Sequence, residues 1–131
     1  MRQATKLADI MTENVVAVRA DQSLAEAITL LLQHNVSCLP VIDDECNLIG
    51  VVTEYDLINF ALSGELNRTA VREAMSERVI SFPPDADFES LVNYCMTNRI
   101  HRVPIVNGGK LVGIVSRRDI LRVIRTYYGA P

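Results

Sequence analysis

The sequence predicts an α+β fold built from two copies of one β-α-β-β-α unit, packed sheet to sheet about a pseudo-two-fold axis. Three observations point there. The stretch GVVTEYD at 50–56 returns as GIVSRRD at 113–119. At a shift of 64 the chain falls on itself: Met11-Thr12 on Met75-Ser76, Val15-Val16 on Val79-Ile80, Asp21 on Asp85, Leu24 on Phe88, and Leu39-Pro40-Val41 on Val103-Pro104-Ile105. One residue is then lost around 107–110. At a shift of 63, Leu48-Ile49-Gly50 falls on Leu111-Val112-Gly113, Thr53 on Ser116 and Asp56 on Asp119. The copies occupy 1–64 and 71–131, joined by a polar linker at 65–70. A unit of about 60 residues buries too little surface to be stable alone, so the two should form one compact module.

Each element has a local reason. A short helix or turn opens each copy, at 7–11 and 71–75, and a brief β-rich stretch follows at 15–18 and 79–82. Ser23-x-x-Glu26 is a capping-box pattern before Leu24, Ala27, Ile28 and Leu31, which recur at helical spacing. In the second copy Asp87 takes the cap position before Phe88, Leu91, Val92, Cys95 and Met96. CLPVID and RVPIVN read as strands; turns rich in Asp, Asn and Gly lead to LIGVVT and LVGIVS. The last helix of each copy starts at Thr53 or Ser116, and the first of these ends at Ser63-Gly64, where glycine suits a C-terminus.

Composition bounds the function. Apolar residues make up 49% and charged residues 22%, as in a globular protein with a real core. No apolar run approaches the about 18 residues that cross a bilayer, and the first residues lack the apolar stretch of a secretion signal, which predicts a soluble cytoplasmic protein without a membrane partner. Cys38, Cys46 and Cys95 form no CxxC pair and suit reduced thiols; with only His34 and His101 beside them, no metal site is expected. From Arg99 onward seven basic residues face Asp119 alone, a local +6, and the first 98 residues carry −9. That asymmetry fits an anion-binding end or a charged partner contact, and equally a solvated last helix whose Arg122 and Arg125 offset its dipole.

Thr53-x-x-Asp56 and Ser116-x-x-Asp119 admit two readings. A hydroxyl followed three residues later by a carboxylate is a helix N-terminal signature. A strand ending at a helix N-terminus is also a ready anion site, where a hydroxyl can donate to phosphate and a carboxylate can accept ribose hydroxyls. Glycine three residues earlier permits close approach of a ligand or another backbone.

Taken together, the paired MT/S, xxPVI or xxPIV, and LxGhhT/SxxD patterns resemble a tandem pair of cystathionine β-synthase (CBS) domains, the Bateman module, over about residues 5–126. The resemblance implies a regulatory module that binds an adenosine-containing ligand (AMP, ADP, ATP, S-adenosylmethionine or NAD) in clefts between the repeats. No obligatory cofactor is implied. In one cleft it implies Thr53 and Asp56 with Ile80, Ile100, His101, Arg102, Val103 and Pro104. In the other it implies Ser116, Asp119 and Arg118 with Val16, Val36 and Ser37. IHRVP resembles the stretch with which AMP-sensing members hold phosphates, whereas VSCLP in the first copy has no cation, so the Thr53/Asp56 cleft is expected to bind the phosphorylated ligand better. A homodimer and a regulated protein partner are further implications; Leu57, Ile58, Phe60, Ile120, Leu121 and Ile124 would supply apolar faces to a dimer or to the core.

The competing reading is a ligand-free assembly module whose two motifs are caps only. An enzyme is not expected, since the sequence contains no Walker loop, no GxGxxG and no local nucleophile–base motif. A pI near 5.3 and 5% aromatic residues argue against nucleic-acid binding. The tail RTYYGAP carries no reading beyond contact with a partner or fraying.

Overall fold

A computed structural model describes residues 5–62, 64–127 and 129. Two packing units are present: Val16–Val79, and a second that joins the chain before Val16 to the chain after Val79. Strands β1 (Val18–Arg19), β2 (Cys38–Ile42) and β3 (Leu48–Thr53) and helices α1 (Leu24–His34) and α2 (Glu54–Ala61) belong to the first unit. Helices α3 (Phe88–Asn98) and α4 (Arg117–Tyr127) and strands β4 (Arg102–Asn107) and β5 (Lys110–Ser116) belong to the second. The protein is therefore α+β, with one small sheet in each unit.

Packing units and sequence repeats are offset. The 3-10 turn Leu7–Asp9, which opens the first sequence copy, is held in the second unit: Leu7 N donates to Ala86 O (3.0 Å), Ala8 N to Pro84 O (2.8 Å), and Phe88 N to Thr5 O (2.8 Å). The turn Val71–Glu73 makes the same set in the first unit, through Val71 N to Gln22 O (2.8 Å), Arg72 N to Ala20 O (3.0 Å) and Leu24 N to Thr69 O (2.9 Å). Each sheet-and-helix layer is completed by the segment that precedes the other repeat. Leu7 accordingly shares a core with Leu91, Cys95, Val103, Ile105 and Val115, and Val71 shares one with Leu24, Leu39, Val41, Val52 and Leu57.

The first strand is shorter than its β-rich sequence suggests, and its copy is not a strand. Val18 and Arg19 pair in parallel with Val41 and Ile42, and Ala20 N still donates to Ile42 O (3.3 Å). In the second unit only an isolated bridge forms, Phe82 to Ile105. The position that matches Ala20 is Pro84, which has no N–H to continue the ladder. β2 pairs antiparallel with β3 and β4 with β5, each with a register break at the equivalent place, after Val41 and after Ile105.

Helix starts differ between the copies. Ser23 forms the full capping box: its hydroxyl accepts from Glu26 N (3.1 Å) and Glu26 accepts from Ser23 N (3.0 Å). That Ser23 N–H, foremost, holds the exposed Glu26 carboxyl below the usual range. Asp87 occupies the matching position but makes no cap bond; Lys6 Nζ draws its carboxylate away (2.9 Å). α1 and α3 both close on a left-handed residue, Asn35 (φ 53°) and Arg99 (φ 54°). α2 ends at Ala61, two residues before the expected stop at Ser63, which lies outside the described residues, as do Tyr128 and the last two residues of the tail.

Candidate functional site

Each candidate site is built where a strand hands over to a helix. Thr53 ends β3 and caps α2; its hydroxyl accepts from Asp56 N (3.3 Å), while Asp56 Oδ2 accepts from Thr53 N (2.8 Å) and Thr53 Oγ1 (3.0 Å). Ser116 ends β5 in the same way: Asp119 Oδ2 accepts from Ser116 N (2.8 Å) and Ser116 Oγ (3.1 Å). Both motifs are thus helix caps in fact, whatever else they do.

The glycine of each motif is explained by a methionine. A Cβ on Gly50 would lie 2.8 Å from both Met75 Sδ and Ser76 O, and one on Gly113 would run into the Met11 side chain. The close neighbour is the incoming turn segment, whose backbone bridges to the strand beside the glycine: Ser76 with Val51, and Thr12 with Ile114. The repeated heptapeptide therefore encodes a seat for that segment and a helix start in seven residues.

The two carboxylates are unequal. Asp119 is 5% exposed, and its Oδ1 is taken by Arg122 Nη1 (2.9 Å) and Thr12 Oγ1 (3.2 Å). Asp56 is half-buried, and its Oδ1 has no hydrogen-bond partner among the described residues. The cause lies in two substitutions between copies. Arg122 corresponds to Asn59 and Thr12 to Ser76, whose hydroxyl instead accepts from Arg78 N (3.2 Å). Thr12 and Arg122 were not among the candidates from sequence. Arg122 carried a readable signal, a base three residues after Asp119 on one helix; Thr12 carried none beyond its match to Ser76.

Other candidates take their places within each unit. In the first, Ser37 O accepts from Glu54 N (3.0 Å), so Ser37 flanks the α2 start, and Val16 and Val36 are half-buried against the core. In the second, His101 O accepts from Arg117 N (3.1 Å) and Arg102 pairs with Ser116, so both basic residues flank the α4 start, together with exposed Arg118. Among the described residues, Arg102 Nε is the one buried side-chain nitrogen or oxygen without a partner. Ile100 packs on the core of its unit and Ile80 is exposed. Val103 and Pro104 are buried, which leaves Val103 only its backbone for a ligand contact. No group of three or more His, Cys, Asp or Glu among the described residues is placed to hold a metal ion. None of their helices is long and apolar enough to cross a membrane.

Duplicated units, each starting a helix on a hydroxyl and a carboxylate at the end of a strand, define a tandem-repeat module. The pattern of the CBS domain matches residues 7–63 and 71–126, and the chain belongs to the CBS domain family. It is 33% identical over 122 residues to inosine-5'-monophosphate dehydrogenase of Methanocaldococcus jannaschii, which covers 92% of this chain and 24% of that enzyme. The chain thus spans about a quarter of that relative. Among solved structures, CBSX2 of Arabidopsis thaliana in complex with AMP is similar with a TM-score of 0.84 and 27% identity, over 94% of this chain and 98% of the other. The CBS domain pair of protein MJ0100, in complex with 5-methylthioadenosine and S-adenosyl-L-methionine, is similar with a TM-score of 0.79 and 26% identity, over 95% and 98%.

Proposed function

We propose that this chain is a non-catalytic, cytoplasmic regulatory module that binds an adenosine-containing ligand, and that Asp56 at the start of α2 is its ribose-binding carboxylate. The free Oδ1 of Asp56 carries this reading. It can accept a ribose hydroxyl without breaking the bond from Thr53 N to Oδ2, so the backbone half of the cap survives binding. Thr53 Oγ1 turns its proton toward phosphate at the cost of about 1 kcal/mol for the bond it releases. Arg102, with its unpaired Nε, and His101 are assigned to phosphate; Ile80, Ile100 and the backbone of Val103 and Pro104 are assigned to the adenine. The AMP and S-adenosyl-L-methionine seen with the two similar structures set the ligand class to be tried first.

Asp119 favours a second reading for its own repeat. A ribose hydroxyl there must displace Thr12 or Arg122, so the set Ser116, Asp119, Arg118, Val16, Val36 and Ser37 is assigned a structural role in the resting protein. Regulation follows if the ligand favours one of two arrangements of a dimer or of a partner protein, since equal affinity for both shifts nothing. A homodimer is the assembly we assign, and an enzyme is the kind of partner suggested by the similarity to part of inosine-5'-monophosphate dehydrogenase. Equilibrium dialysis against AMP, ADP, ATP, S-adenosylmethionine and NAD tests the core of the proposal. Saturation near one ligand per chain is expected; no binding of any of the five at millimolar concentration would leave the motifs as caps only.

A further inference from the structure

Each incoming turn is seated by a methionine sulfur laid against a glycine, and we infer that Met11 and Met75 are oxidation-sensitive fastenings, released when peroxide converts either thioether to its sulfoxide. Both contacts lie inside one packing unit, Met75 with Gly50 in the first and Met11 with Gly113 in the second. A Cβ built on Gly50 would stand 2.8 Å from Met75 Sδ; one on Gly113 would run into Met11 Sδ and lie 2.8 Å from its Cγ. Nonbonded atoms rest about 3.5–4.0 Å apart, so each sulfur already fills the space that a side chain on the glycine would take. Met75 packs on the core of the first unit and Met11 on that of the second, yet each is only half-buried and so partly open to a small oxidant.

Oxidation changes what the seat must hold. The sulfur gives an electron pair to one oxygen of hydrogen peroxide, and an S–O bond forms as the O–O bond breaks. The departing hydroxide takes the proton from the oxygen now bound to sulfur and leaves as water, so the thioether is oxidised and the peroxide reduced by the same electron pair. The product is polar, an acceptor with no proton to donate. The bridge N–H groups beside each seat are already paired. Val51 N donates to Ser76 O (2.9 Å) and Ser76 N to Val51 O (2.8 Å), while Ile114 N donates to Thr12 O and Thr12 N to Ile114 O (both 2.9 Å). A sulfoxide oxygen is therefore left unpaired at the edge of a core or takes an N–H from the bridge, and either outcome loosens the segment. At Gly50 an oxygen turned toward the strand also meets the Ser76 carbonyl, which crowds the same point as the sulfur. At Gly113 the loosened segment carries Thr12, whose hydroxyl donates to Asp119 Oδ1 (3.2 Å). Met96, 76% exposed on α3, is an internal control, because its sulfoxide is hydrated where it stands.

Peroxide titration of the ligand-free chain tests the inference, so its outcome is separate from that of ligand binding. After each step thiols are restored with dithiothreitol, sulfoxides are located by peptide mass spectrometry, and urea unfolding is recorded. Met96 should oxidise first and leave the midpoint where it was. Oxidation of Met11 or Met75 should lower the midpoint by about 1 M each and open the Val51 and Ile114 amides to hydrogen exchange. A Met11→Leu/Met75→Leu chain, close to the original in volume, should hold its own midpoint under the same peroxide. In the unaltered chain, methionine sulfoxide reductases A and B should restore the midpoint as oxygen leaves residues 11 and 75. Sulfoxide at both seats with an unchanged midpoint would overturn the inference. So would Met11 and Met75 left unoxidised at peroxide well beyond that which converts Met96 completely, or a midpoint that falls equally in the leucine variant.

Discussion

Replacing the two motif aspartates by alanine separates cap from ligand site. Asp56→Ala removes two contacts to Thr53, at 2.8 and 3.0 Å, from a half-buried carboxylate. A lost cap of this kind costs about 1 kcal/mol. Asp119→Ala removes the corresponding pair from Ser116 and also strands Thr12 and Arg122, around a carboxylate that is 5% exposed. The Arg122 side chain is 64% exposed, so its ion pair adds little, at most about 1 kcal/mol. Thr12 is exposed and Ser116 half-buried, so water can take over their donors and the lost bonds add about 1 kcal/mol more, for about 2–3 kcal/mol in all. At about 3–5 °C per kcal/mol for a chain of this length, Tm should fall by about 4 °C in Asp56→Ala and by about 10 °C in Asp119→Ala. Ligand response runs the other way. A ligand at 100 times its dissociation constant stabilises by about 2.7 kcal/mol. That gain should vanish in Asp56→Ala and persist in Asp119→Ala, each read against its own ligand-free baseline by differential scanning fluorimetry. A ligand shift that survives Asp56→Ala and is lost in Asp119→Ala would refute the reasoning from the free Oδ1.

Arg122→Ala should cost little stability yet free one oxygen of Asp119, so dialysis with saturating AMP should show bound ligand rising from about one toward two per chain. Gly50→Ala should be dearer than Gly113→Ala, because the new methyl meets the Ser76 carbonyl as well as Met75, whereas at Gly113 its three nearest atoms all belong to the Met11 side chain, which can move; overpacking of this kind costs about 1–3 kcal/mol, read by urea denaturation. Burial pushes the Cys95 thiol up. The folded state therefore favours its neutral form, a contribution present below the ordinary thiol range and lost as pH rises through the raised value. Cys46, which is exposed, should react with a disulfide reagent at pH 8 within seconds to minutes, and Cys95 only as the protein unfolds.

Much of this architecture was legible because the duplication supplied every element twice. The Ser23 box, the two hairpins and both helix starts follow from local residue types at fixed spacing, and the structure contains them. Asp87 has the residue type of a cap but does not cap, because the competing partner, Lys6, lies 81 residues away in sequence and local spacing cannot show it. The second short strand failed for a nearer reason, a proline at the position whose N–H its copy uses. The docking of 5–12 onto the second repeat was not legible at all: matching sequence to itself aligns equivalent residues but says nothing of which copy a segment packs on. The same blindness hid Thr12, whose bond to Asp119 spans 107 residues.

Duplication also explains how one motif comes to hold two roles. Both copies contain a strand-to-helix corner with a glycine seat and a carboxylate cap, and each uses one aspartate oxygen for the cap. The copies differ at the far oxygen. With Asn59 and Ser76 near Asp56, that oxygen stays open for a ligand. With Arg122 and Thr12 at the other corner, it fastens α4 to the incoming segment and draws on a strongly basic helix for its partner. The arginines of α4 thus divide by direction, Arg122 toward the carboxylate of its own helix and Arg117, Arg118 and Arg125 outward.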